Sequence, residues 1–305
     1  MPGRRFMVLI VVSRIIGRLK TKCFRERSSA LTSLKLDVGR WAIAADLHPS
    51  PAASARLVQL HGLTSSMARD EILGLNFVHD LPEFETLRYD APGHGRTRLH
   101  EDGAHDGQKA VEQDFLWDSL ADTLYAVVGD VWPDATDTRP LVGIGQSMGC
   151  ATLLTSQVKH PGLFDKLILG LPPTVWENRS ARATGYEFSA QYVEDNGLAA
   201  YSEFTKHEAL PPAVNPDRPH TDPDVLESIL PIAYRGAAKA NLPAKEKIMQ
   251  IECPVLILAW TQDPGHPIES AEELGDLLPN AEVHIAETPD DVGQWTTMMR
   301  EFILR

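Results

Sequence analysis

The sequence predicts an α/β protein: a mostly parallel sheet with helices on both faces and a helical lid inserted between two strands. Three observations carry this. From about residue 34 onward, short apolar runs alternate with longer segments of helical periodicity. Two of the runs, residues 166–171 and 254–260, are almost continuously apolar, as expected of strands buried on both faces. Residues 176–251 break the rhythm, being polar, helical and punctuated by Pro211, Pro212, Pro216, Pro219 and Pro223.

The elements follow in order. Residues 34–38 and 41–47 read as two strands turned by Gly39-Arg40, and residues 56–60 as a third running into His61-Gly62. A helix near residues 69–79 precedes a strand at 84–89, which ends in the Gly-rich loop Asp90-Ala91-Pro92-Gly93-His94-Gly95. Residues 108–132 read as one long helix, because Val111, Phe115, Leu116, Leu120, Leu124, Val127 and Val131 recur at three- and four-residue steps. A short buried strand at 141–144 leads to a helix at 148–160, which Pro161-Gly162 stops. After the lid come the strand 254–260, a helix at 267–278, a strand at 281–286 and a helix at 291–304.

A chain of 305 residues with 43% hydrophobic and 23% charged residues can bury a sizeable core, and nothing in it suggests disorder or repeats. Its net charge of −13 conceals a basic segment: residues 1–30 carry eight Arg and Lys against Glu26 alone. The rest of the chain is therefore more acidic still, which disfavours phosphate backbones and argues against a nucleic-acid partner. The apolar run from Phe6 to Val12 is far shorter than the roughly 20 residues that span a bilayer. Residues 1–30 are therefore read as a basic extension outside the folded domain 31–305, suited at most to weak membrane-surface contact. Cys23, Cys150 and Cys253 show no metal or disulfide spacing, consistent with a reducing, cytoplasmic setting. No metal or cofactor motif is present, and a cofactor is not expected.

Chemistry is carried by Gly145-Gln146-Ser147-Met148-Gly149. A Gly-x-Ser-x-Gly pentapeptide alone is weak, but here a predicted strand precedes it and a helix follows, the setting of a nucleophile elbow. Glycines on both sides of Ser147 remove the Cβ clashes of a tight strand-to-helix turn. The hydroxyl then stands where free helix N–H groups favour negative charge.

With this motif, and with Tyr89-Asp90-Ala91-Pro92-Gly93-His94-Gly95 matching an Asp-x-x-Gly-His-Gly turn, residues 34–305 resemble the α/β-hydrolase superfamily. The resemblance implies a serine nucleophile, Ser147. It implies an oxyanion hole from the backbone N–H groups of Met148 and Leu63, and an acid after the next-to-last strand, where Asp263 stands. It also implies that His61 and His94 hold loops rather than move protons.

The resemblance fails at one place. A histidine is expected after the last strand, yet residues 286–292 contain none and no His follows His284. A serine hydroxyl without a base is a poor nucleophile, and a carboxylate is too weak to replace imidazole well. His266, on the same loop as Asp263, is the first candidate for the base. His284 lies inside a strand, and His207 and His220 lie in the lid. Asp290 or Asp291 could orient whichever imidazole serves, and Cys150 reads as a small buried residue. Trp176, Tyr186, Phe188, Tyr192, Tyr201 and Phe204 could wall an apolar substrate or simply pack. The expected function is hydrolysis of an ester, lactone or related acyl bond in a small or medium substrate through a Ser147 acyl-enzyme. The alternative is a non-catalytic or weakly active ligand-binding protein that keeps the same pocket.

Overall fold

The computed structural model describes residues 31–100, 109–134 and 136–305. The expectations for residues 1–30 fall outside them. A nine-stranded sheet organises the chain. Its strands are β1 (Thr32–Val38), β2 (Trp41–His48), β3 (Arg56–Leu60), β4 (Glu85–Tyr89), β5 (Arg98–Leu99), β6 (Leu141–Gln146), β7 (Lys166–Gly170), β8 (Val255–Trp260) and β9 (Ala281–Ala286). They lie in the order β1-β2-β4-β3-β6-β7-β8-β9, with β5 paired to β2. From β4 to β9 every pairing is parallel, while β2 runs antiparallel to β1, β4 and β5. The predicted mostly parallel α/β sheet is the observed fold.

Both faces of the central strands are dry. Along β8, Val255, Ile257 and Ala259 feed one apolar core while Leu256, Leu258 and Trp260 feed the other. This is the two-residue side-chain period of a strand buried on both sides, and it explains the continuous apolar run. The helices α1 (Met67–Leu73), α2 (Trp117–Val131), α3 (Met148–Lys159), α8 (Ile268–Leu277), α9 (Pro289–Gly293) and α10 (Trp295–Leu304) complete the body. Leu120, Leu124 and Val127 of α2 and Leu153 of α3 join the first core; Trp295, Met299 and Phe302 of α10 join the second.

Between β7 and β8 lies the helical lid: α4 (Arg179–Asn196), α5 (Leu198–Thr205), α6 (Leu230–Lys239) and α7 (Lys245–Ile248). Gly236 lets α6 approach the body closely, since a Cβ there would sit 2.5 Å from the Glu112 carbonyl oxygen. Two side chains tie the lid to the loop after β3. Arg69 bonds Thr64 and the lid residue Thr221, and Ser66 Oγ donates to lid Asp224 Oδ2 at 2.5 Å.

Several boundaries differ from expectation. The long helix at 108–132 is instead a short 3₁₀ turn, Glu112–Phe115, followed by α2; Leu116, extended at φ −70° and ψ 141°, separates them. The Val111–Leu116 spacing is met by the turn and the helix together. The final helix is also two pieces, joined at Gln294. The helix near 69–79 ends at Leu73, where Gly74 takes φ +68° and closes it with a left-handed cap.

Candidate active site

The carboxyl ends of β3, β6 and β8 converge, and each contributes a backbone under strain. Ser147, between β6 and α3, has φ 50° and ψ −110°, a conformation L residues rarely adopt. Thr64 after β3 has φ 65°, and Gln262 after β8 has φ 61°. The Ser147 turn is possible because the residues two positions before and after it, Gly145 and Gly149, are glycine. A Cβ on Gly145 would lie 2.5 Å from the Gly149 carbonyl carbon, and one on Gly149 would lie 2.6 Å from the Leu60 carbonyl oxygen. In each case the obstacle is backbone, which cannot step aside. The Ser147 N–H is anchored to the Gly170 carbonyl of β7 at 3.1 Å.

Opposite the serine stands His266. Its Nε2 is 2.9 Å from Ser147 Oγ, and its Nδ1 is 2.8 Å from Asp263 Oδ2. Nδ1–H therefore donates to the carboxylate, and Nε2 is left to accept from the serine hydroxyl. Asp263 is itself fixed. Trp260 Nε1–H donates to Oδ2 at 2.7 Å, and the Gly265 N–H donates to Oδ1 at 2.8 Å. Burial alone would push the carboxyl up, but the His266 contact and these further donors outweigh it and hold it well below the usual carboxylate range. Asp263 is thus a fixed anion beside the imidazole.

Sequence reasoning placed Ser147, Asp263 and His266 in one site, and the fold brings the three into a single hydrogen-bonded line. The other histidines lie elsewhere. His284 is in β9, in register with Leu258; His207 is exposed beside Glu203 at 3.6 Å; His220 Nε2 is 3.0 Å from Ser202 Oγ. Asp291 caps α9 through Thr288 rather than meeting an imidazole, and Asp290 is exposed. Trp260 and its indole donor were not foreseen. A polar aromatic ending an apolar strand was the available signal, because a buried indole N–H needs an acceptor.

Of the two positions expected to supply an oxyanion hole, Met148 directly follows Ser147 and Leu63 lies in the loop after β3. Met148 opens α3, so its N–H is among the first-turn donors that have no acceptor within the helix. Leu63 follows Gly62, where a Cβ would sit only 3.4 Å from Ser147 Cβ. That loop is stiffened by two buried histidines. His61 Nε2 accepts the Ala91 N–H at 3.0 Å, and His94 Nε2 accepts the Thr64 N–H at 3.2 Å. Each ring's Nδ1 meets a carbonyl, of Gly62 and Pro92 respectively. Burial pushes His61 down to about 4 and His94 down to about 3, so both are neutral near pH 7.

The Asp-x-x-Gly-His-Gly turn is built around one carboxylate. Asp90 accepts the N–H groups of Met67 and Arg96, both at 2.8 Å. Cys150 is fully buried with Sγ 3.1 Å from the Gly145 and Gly170 carbonyls, and burial pushes its thiol up. Of the lid aromatics, Tyr186 and Tyr201 are buried, whereas Phe188 and Phe204 are exposed and pack on Tyr192. A groove of about 510 Å³ between α4 and α6 lies on the lid and touches none of the three site residues. Among the described residues no cluster could hold a metal, and no helix is long and apolar enough to cross a membrane.

A model of the alpha/beta hydrolase family matches residues 57–301, which is most of the chain and includes all three residues of the line. The chain belongs to the alpha/beta hydrolase family. Solved structures share its fold at low sequence identity. A thermophilic esterase from Thermogutta terrifontis is 16% identical with a TM-score of 0.64, over 90% of this chain and 98% of its own. A carboxylesterase structure from Nitrososphaera gargenis is 15% identical with a TM-score of 0.66, over 90% and 99%. An esterase from Exiguobacterium antarcticum is 14% identical with a TM-score of 0.63, over 87% and 97%. No curated protein matches the chain by sequence.

Proposed function

We propose that this α/β-hydrolase cleaves ester, lactone or related acyl bonds of small or medium substrates through an acyl-enzyme on Ser147. The observation that carries the reading is the line Ser147 Oγ, His266, Asp263, with spacings of 2.9 and 2.8 Å. His266 Nε2 takes the hydroxyl proton as Oγ attacks the carbonyl carbon. The N–H groups of Met148 and Leu63 receive the developing oxyanion, a contribution of typically about 3 kcal/mol for each donor. Collapse of the tetrahedral intermediate breaks the bond to the leaving oxygen, which departs with the proton from His266. Water then attacks the acyl-enzyme with His266 again as base, releasing the acid and restoring Ser147. Asp263 stays ionised throughout, fixing the ring's tautomer and balancing the imidazolium.

Asp263 and His266 sit three residues apart on one loop after β8, so base and orienting acid come from the same turn. The Asp263 carboxylate also accepts backbone N–H groups of that turn, which keeps both side chains on the serine's side. The competing reading, a binding protein without a base, drew its force from the histidine missing after the last strand. An imidazole within hydrogen-bond distance of Ser147 supports the enzyme instead.

The test is turnover of 4-nitrophenyl esters by wild type, Ser147→Ala and His266→Ala, with fluorophosphonate labelling alongside. Both variants should fall to near background, and labelling should vanish in Ser147→Ala. Full turnover in His266→Ala would remove the proton-transfer assignment. A folded wild type that neither turns over nor labels would favour the binder.

A further inference from the structure

Beside the His266 loop the lid carries a guanidinium that forms no ion pair among the described residues. Arg182 of α4 reaches down to Gly265, the residue before His266. Its Nη2 is 3.7 Å, and its Cζ 3.9 Å, from where a Cβ on that glycine would lie. One face of the guanidinium lies over the Tyr186 ring at 4.7 Å. Its Nε is shielded from solvent and has no hydrogen-bond partner. No described carboxylate approaches Arg182 within ion-pair distance. Arg218, half-buried in the lid segment before Thr221, also lacks an ion pair, and its charge is felt at both Asp263 and Arg69.

Arg69 differs from these two. Its Nε, Nη1 and Nη2 are all engaged by Thr64 and Thr221, and Asp222 and Asp224 lie within electrostatic reach. The anion whose charge reaches both Arg182 and Arg218 is Asp263, already held by His266, Trp260 and the Gly265 N–H. A partly buried guanidinium is unfavourable unless something compensates it, and Arg182 is compensated in part by Tyr186 and by the charge of Asp263. Here the chain as a whole is acidic, at −13, so general attraction of anions does not account for the pair. A planar, forked donor suits a carboxylate, which its terminal Nη groups can grip with two parallel hydrogen bonds.

Building on the acyl-hydrolase reading, we propose that the preferred substrate carries a carboxylate, bound by Arg182. Half-esters of dicarboxylic acids are then cleaved in preference to neutral esters of the same length. The carboxylate sits on the lid side of His266 while the ester carbonyl lies against Ser147. The reaction is ordinary hydrolysis: ester and water give the diacid and the alcohol.

The experiment compares mono-4-nitrophenyl adipate with 4-nitrophenyl hexanoate, which has a methyl group in place of the carboxylate, using the full chain. Wild type should favour the adipate half-ester in kcat/KM. That preference should shrink about 10- to 100-fold in Arg182→Gln, mainly through KM, and recover in part in Arg182→Lys. Arg218→Gln should shrink it less. Calorimetric titration of adipate into wild type, Ser147→Ala and Arg182→Gln separates the two proposals. Binding that is lost only in Arg182→Gln, with neither ester cleaved by wild type, supports the carboxylate site and sinks the hydrolase reading. Cleavage of both esters at ratios that Arg182→Gln leaves unchanged overturns the carboxylate site while the hydrolase stands.

Discussion

Trp260 Nε1 lies 2.7 Å from Asp263 Oδ2, the same oxygen that receives His266 Nδ1 at 2.8 Å. Two donors on one oxygen aim the carboxylate as well as stabilising its charge. The indole is held in turn by Trp295, stacked at 5.9 Å with an interplanar angle of 18°. Trp260→Phe keeps a ring in that stack and deletes only the donor. A hydrogen bond to a charged group contributes about 1.5–3 kcal/mol, so kcat should drop roughly tenfold or more with KM little changed. An unaltered kcat in steady-state assays would show that His266 and the turn's backbone suffice to aim Asp263.

The glycines of the elbow should be intolerant for a reason that other glycines do not share. Gly149→Ala drives a methyl to 2.6 Å from the Leu60 carbonyl oxygen, so β3 and α3 must separate. Overpacking of this kind typically costs about 1–3 kcal/mol, and here it also moves the loop carrying Leu63. Gly129, in the exposed interior of α2, meets nothing within 4 Å. Gly129→Ala should therefore stabilise by roughly 0.5–1 kcal/mol. Thermal melts of the two variants should move in opposite directions; movement in the same direction would undercut the packing argument.

The elbow was legible because its requirements are local: a strand, glycines where a Cβ would strike backbone, and a helix. The acid loop was legible for a related reason, since Asp263 and His266 are three residues apart and any tight turn after β8 points both the same way. Choosing His266 over His284, His207 and His220 rested on position along the strands, which the register of β8 and β9 supports. What escaped was tertiary. The two-residue β5 has no period to detect, and the break at Leu116 leaves the apolar spacing intact. No pattern in the lid sequence marks Arg182 as the side chain that reaches Gly265, because its neighbours come from α4 and from the loop after β8.

Arg179 is the lid's buried anchor. It donates to the Ala237 carbonyl at 2.6 Å and the Ala240 carbonyl at 2.9 Å, which closes the C-terminal end of α6, and it lies 4.4 Å from the Trp117 ring centroid. One guanidinium therefore donates to two carbonyls at the end of a helix and joins lid to body. Arg179→Met keeps much of the volume and loses the donors, leaving the Ala240 carbonyl without this partner and the Ala237 carbonyl with only the Ala240 N–H. A loss of roughly 3 kcal/mol is expected in urea unfolding, with faster proteolytic cutting inside the lid. If the lid of the variant resists protease as well as that of wild type, the anchor lies elsewhere.

His94 gives the fold a definite response to acid. Its pKa drops from 6.5 to about 3 on folding because the ring is buried, with His61 adjacent. Between those values the unfolded chain binds a proton that the folded chain refuses. Stability must then fall as the pH falls, by up to about 1.4 kcal/mol per unit for this one group. His61, lowered to about 4, acts in the same direction. Asp70, which burial pushes up to about 7, acts in the opposite one: between pH 3.8 and 7 the folded chain holds a proton that the unfolded chain has released. The three together leave a net slope of about one proton between pH 6.5 and 4. His94→Gln can still accept the Thr64 N–H but cannot take up a proton, so it should flatten that slope. From pH 7 to 4.5 the variant should lose roughly 2–3 kcal/mol less than wild type, whatever its stability at neutral pH. Urea titrations at the two pH values measure this directly. Parallel losses would mean that His94 is not held neutral by its surroundings, and the rigid support claimed for the Leu63 loop would lose its basis.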